Sequence, residues 1–158
     1  MGQNRPEPSL RAYVFLSDEC PMCQGYAPVL NKLAKDFEGR VAFIGIFPNF
    51  YATDSSLTAF KKEYNLNFEC LRDSNFFYTD HFKATVTPQI FIEKREKKAS
   101  NTEGVLYAGQ IDDAYFRAGK RRGTTSIHYV REVLNDFFDH KKPEFSETAA
   151  MGCIIVKD

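Results

Sequence analysis

The stretch "AYVFLSDECPMCQGYAPVL", residues 12–30, restricts the fold more than any other part of the chain, because it sets two cysteines where a strand hands over to a helix. Residues 12–17 form a short run rich in aromatic and branched side chains, which predicts a buried strand. Beyond it Met22, Tyr26, Val29, Leu30, Leu33 and Phe37 recur at helical spacing, and Gly39 supplies a stop signal. Pro21 suits the first helical position, where its fixed φ is preset and its missing N–H costs nothing. Cys20 therefore faces unpaired backbone N–H groups and the positive end of the helix dipole, both of which favour thiolate over thiol. Cys23, one turn inward, is shielded yet near enough to close a small disulfide ring. That division predicts an attacking thiol and a resolving thiol. Asp18 and Glu19, if close, would raise the Cys20 pKa and oppose the dipole. Pro28 removes a hydrogen bond inside the helix and predicts a kink.

Along the rest of the chain, residues 41–47 predict a second strand, and Leu57, Phe60 and Tyr64 predict a helix following Asp54. A short strand over 68–71 and one or two helical turns within 74–82 follow. Strands over 88–93 and 105–111, joined by a charged loop, read as a hairpin. Ile127, Val130, Leu134 and Phe137 mark a closing helix, capped by Thr124 or Thr125 and ending near Lys141. The order βαβα, a small insertion, then ββα predicts an α/β fold, a central mixed sheet with helices on both faces. Residues 1–9 are expected to be a leader or linker, 10–141 the domain, and 142–158 a tail without assigned structure.

With 158 residues, 43% of them hydrophobic, the chain suits one domain around one core. Twenty-one basic side chains balance twenty-one acidic ones, so no net field recommends nucleic acid or an anionic membrane as partner. No apolar run approaches the ~20 residues of a membrane span, and the first ten residues lack a secretory signal's apolar segment. A native cytosolic start and a trimmed exported one are equally compatible with that opening.

A CxxC opening a helix after the first core strand, with a proline five residues past the second Cys, resembles the thioredoxin pattern. "TVTPQIFI", residues 85–92, resembles that superfamily's cis-proline loop, which implies a cis bond between Thr87 and Pro88 facing the cysteines. "CPMCQGYAP", "TPQIFI", "YAGQIDDAY" and "MGCII" together resemble a redoxin group allied to the alkyl hydroperoxide reductase and thiol-specific antioxidant family, over most of the chain from about Ala12. The resemblance implies a thioredoxin-like fold with the insertion before the cis-Pro strand, and thiol-disulfide exchange with partner proteins. Cys20 and Cys23 would be catalytic, and Thr87, Pro88, Pro21 and Met22 would bind substrate. No cofactor would be needed, since electrons pass to or from a partner's dithiol. Kinship also implies a bacterial, exported or periplasmic setting. Glu19 stands where thioredoxins carry Trp, so the surface offered to partners differs.

Other readings compete. Accidental spacing or a static disulfide would make the pair structural. Zinc is disfavoured because only one cysteine pair exists where four ligands are wanted. Copper handling would need His81, His128 or His140 beside the pair. A thiol peroxidase has Ser17 at the required hydroxyl position but Tyr13 where that chemistry needs proline. A non-catalytic binding module could use the same groove. Cys70 is expected to pack in the core; Cys153 divides evenly between packing and a functional role, as a third redox thiol or a bridge to another segment. Asp112 and Asp113 are expected in a solvated turn, and residues 120–123 in a basic loop.

Overall fold

The computed structural model describes residues 7–95, 104–117 and 119–158. Its central sheet has five strands in the order β3-β2-β1-β5-β6, comprising β1 (Leu10–Phe15), β2 (Val41–Phe47), β3 (Glu69–Arg72), β5 (Gln89–Lys94) and β6 (Val105–Gly109). β1, β2 and β3 run parallel, linked by α1 (Pro21–Asp36) and α2 (Asp54–Glu63), while β5 and β6 are antiparallel additions beside β1. The predicted hairpin thus forms β5 and β6, although β6 stops at Gly109. Most of its connecting loop, residues 96–103, lies outside the described residues.

Alternation along the strands sorts the core into two layers. Leu10, Ala12 and Val14 of β1 join Ile90 and Ile92 of β5 beneath Tyr26, Leu30 and Leu33 of α1 and Val130, Val133 and Leu134 of α4 (Tyr129–Phe138). Tyr13 and Phe15 point to the other face, where Ile46, Phe91 and Ile155 meet Tyr78 and Phe82 of α3 (Phe77–Phe82). Helices therefore cover both faces of a mixed sheet, as the element order predicts.

Local chemistry explains the boundaries. Thr53 and Ser56 form a capping box that starts α2. Asp73 accepts from the backbone N–H groups of Tyr78 and Thr79 and from the Thr79 hydroxyl, which organises α3. α1 continues unbroken through the exposed Pro28. α4 begins later than expected: its N-cap is His128, which makes no side-chain cap, and neither Thr124 nor Thr125 caps it. Hydrogen bonds to the segment after β6 supply the order instead, with the Asp113 side-chain Oδ1 accepting from the N–H groups of Ser126 and Ile127 and the Val130 N–H donating to the Ile111 carbonyl. The basic segment forms a small antiparallel pair, β7 (Tyr115–Arg117) with β8 (Lys120–Arg121).

The tail takes a defined path. Residues 145–157 are seated along the domain. The Ala108 N–H donates to the Ser146 carbonyl, and Thr148 Oγ1 accepts from the Gln110 N–H and shares a 2.6 Å hydrogen bond with the Tyr107 hydroxyl. The chain then crosses to form β9 (Cys153–Ile154), antiparallel to β4 (Val86–Thr87), with Thr87 opposite Cys153. Past it Ile155 enters the second core layer, and the Val156 N–H donates to Asn49 Oδ1 at 2.7 Å.

Candidate active site

Cys20 is the N-cap of α1, in extended backbone conformation and with Pro21 directly after it. Its sulfur therefore lies against the first helical N–H groups, and those of Cys23 and Met22 both favour its anion. The Cys23 thiol is the largest influence on Cys20; it outweighs burial, and with Cys153 and those N–H groups it lowers the Cys20 pKa to about 5. Burial is the principal influence opposing the anion.

Cys23 experiences the reverse. Burial, followed by its hydrogen bond to Cys20 and the charge there, pushes its thiol well above the ordinary range. Its sulfur accepts from the Ser17 N–H at 3.4 Å. The pair is thus split into one sulfur poised as thiolate and one held as thiol.

Opposite the pair, the Thr87–Pro88 peptide bond is cis, and the Thr87 carbonyl lies 3.4 Å from Cys20 Sγ. Chain positions 67 residues apart thus meet at one sulfur. Met22, Tyr26, Pro88 and Met151 line a cavity of only about 10 Å³, room for about one water molecule. Pro21 stays exposed at the helix start. Cys20 is 1% exposed and Thr87 is 0% exposed, with the tail paired across Thr87. Sequence reasoning left Cys153 undecided and overlooked Met151 and Gly152; the "MGCII" segment was the available signal.

Asp112 also departs from expectation. It is buried, and it accepts from the Tyr26 hydroxyl at 2.6 Å and from the Ala114 N–H at 2.9 Å. Burial and this carboxyl push the Tyr26 phenol upward. The pair ties α1 to the segment after β6, close to the cysteines. Tyr26→Phe should lower stability by about 1.5–3 kcal/mol, the worth of a hydrogen bond to a charged group. A fall in the urea midpoint at unchanged slope would show it; an unchanged midpoint would mean the bond contributes nothing.

The remaining candidates are placed as follows. Cys70 is half-buried, its sulfur filling the space over Gly45, where an added Cβ would sit 3.0 Å from it. Tyr13 points to the face opposite the cysteines, packed on Tyr78 and Phe82, and Ser17 Oγ accepts from the Glu19 N–H. His81 packs edge-on against Phe82. Among the described residues no group of three or more His, Cys, Asp or Glu side chains could hold a metal ion. No described helix is long and apolar enough to cross a membrane.

These features, a mixed sheet of this order with a CxxC helix facing a cis-proline loop, define a thioredoxin-like fold, and comparison with solved structures agrees. A hypothetical protein from Sinorhizobium meliloti superposes with a TM-score of 0.80 at 24% identity, over 94% of this chain and 80% of that one. An uncharacterized conserved protein from Geobacillus kaustophilus gives 0.80 at 20% identity, over 97% and 79%. A thioredoxin-like protein from Aeropyrum pernix gives 0.61 at 18% identity, over 86% and 82%. No protein-family model matches the chain, and no curated protein does.

Proposed function

We propose that the protein is a thiol-disulfide oxidoreductase that exchanges disulfides with partner proteins through Cys20 and Cys23. The observation that carries this is the placement of Cys20 at the N-cap of α1, 3.4 Å from the Thr87 carbonyl beside the cis Thr87–Pro88 bond and one turn from Cys23, an arrangement in which the two sulfurs are tuned apart, Cys20 down and Cys23 up. A structural pair gains nothing from that split. An exchange pair needs it: the Cys20 thiolate attacks a partner disulfide, forms a mixed disulfide and releases the partner's other sulfur as thiolate. Cys23, relieved of the charge on Cys20, then gives up its proton and displaces the partner from Cys20. Both electrons of the Cys20–Cys23 dithiol pass to the partner; the reverse sequence oxidises a partner dithiol. Thr87 and Pro88 border the reacting sulfur and are assigned to substrate binding, together with Met22 and Pro21 on the helix.

Trapping tests this. The double variant Cys23→Ser/Cys153→Ser has no second sulfur at the site, so it should accumulate a covalent adduct with a disulfide-bonded test protein. That adduct should dissolve in excess dithiol and disappear when Cys20 is also replaced by serine. If no adduct forms, Cys20 is not an exchanging nucleophile, and a non-catalytic binding module becomes the better description.

A further inference from the structure

We propose that the C-terminal tail is a built-in exchange partner: β9 holds Cys153 against Cys20, so that Cys153 forms a disulfide with Cys20 in competition with Cys23 and with outside substrates. This rests on Cys20 being an exchanging nucleophile and goes beyond it by assigning a third thiol and an internal regulator.

Three contacts of β9 with Thr87 place Cys153 there. Thr87, whose carbonyl meets Cys20 Sγ, is the residue directly opposite Cys153 in the β4–β9 ladder. Thr87 Oγ1 donates to the Cys153 carbonyl at 3.5 Å. Gly152, next in the chain, brings its backbone so near that an added Cβ would lie 2.1 Å from the Thr87 carbonyl oxygen. The strand is clamped on both sides, by Thr148 at Tyr107 and Gln110 and by Ile155 and Val156 beyond. A chance packing cysteine would not need a glycine cut to this approach.

The chemistry balances without an added oxidant. When Cys20 is in a mixed disulfide, the Cys153 sulfur attacks Cys20 Sγ. The new S–S bond forms as the old one breaks, and the electron pair leaves on the partner's sulfur, which takes up the proton Cys153 gives up. Attack by Cys153 on the Cys20–Cys23 disulfide follows the same course, with Cys23 as leaving group, and Cys23 reverses it. Reactivity is gated by the state of Cys20. Burial first, then the hydrogen bond and charge of Cys20, raise the Cys153 thiol to about 12; once Cys20 is in a disulfide, the contributions from Cys20 vanish. Cys153 is thus quiet in the reduced protein and easier to ionise in the oxidised one.

The full-length Cys23→Ser variant, reduced and then treated with oxidised glutathione, tests the proposal. Mass spectrometry of a non-reducing acid digest should find the peptide of Cys20 joined to that of Cys153, with glutathione released. A stable Cys20–glutathione adduct without that link would overturn the internal partner while leaving exchange at Cys20 intact. An unmodified Cys20 would overturn both. The wild-type chain provides a second measurement that does not depend on the variant's folding. Its oxidised form should contain the Cys20–Cys153 link beside Cys20–Cys23, lost in Cys153→Ala; a single Cys20–Cys23 species would overturn the proposal.

Discussion

Gly152→Ala should unseat β9 and open the redox site, raising the rate at which Cys20 is alkylated in the folded, reduced protein by roughly tenfold to a hundredfold. The added methyl would lie 2.1 Å from the Thr87 carbonyl oxygen, 2.6 Å from its carbon and 3.1 Å from the Pro88 nitrogen. All three are backbone atoms, so no flexible side chain can swing aside. Thr87 and Pro88 lead directly into β5, whose Ile90 and Ile92 are fully buried, so the sheet side cannot yield and the tail must. Overpacking of this kind costs about 1–3 kcal/mol, and each 1.4 kcal/mol multiplies the open population about tenfold. Alkylation of Cys20, measured site by site with a small haloacetamide, follows that population. Gly152 has no left-handed backbone conformation to lose, so the effect is one of contact alone. The Cys20–Cys153 link should fall in the same variant. An unchanged alkylation rate would show that the tail does not guard the site.

The second large effect is electrostatic. In the reduced protein, thiolate ultraviolet absorbance should rise with a midpoint near pH 5, because the Cys20 pKa is lowered from the ordinary 9.0 to about 5. Cys20→Ser should abolish that rise, and Cys23→Ala should move it to higher pH by removing the group that lowers Cys20 most. Stability follows with a definite sign. Between about pH 5 and 9 the unfolded chain holds the Cys20 proton and the folded one does not, so the reduced protein gains stability as pH rises through this window. The gain is complete above the unfolded value and is lost as pH falls through about 5. Urea denaturation of the reduced wild type and of Cys20→Ser, at pH 5 and pH 8, should show the difference between them widening at the higher pH. A constant difference would mean that Cys20 remains a thiol in the folded state.

Both effects depend on features of unequal visibility in the sequence. The strand-to-helix joint was legible because three local signals agree at residues 12–30: a short apolar run, a proline suited to the first helical position, and apolar spacing of helical period. The strands flanking that joint were legible for the same reason, with ends displaced by a few residues. Asp112 was not. An acidic pair following a strand looks solvated unless the Tyr26 hydroxyl, 86 positions away, is known to reach it. The start of α4 was missed because threonine caps best when the next turn is helical; here Asp113 holds the backbone of Ser126 and Ile127 in a loop first.

By itself the sequence determined where two thiols would stand relative to a helix end, because capping geometry and side-chain period act over a few neighbouring residues. Only the tertiary structure decided that a third sulfur joins them and that the site is covered. β4 and β9 contribute two residues each, too few to carry a period, and their pairing is set by long-range contacts: a glycine that lets two backbones touch, and an isoleucine drawn into the far core.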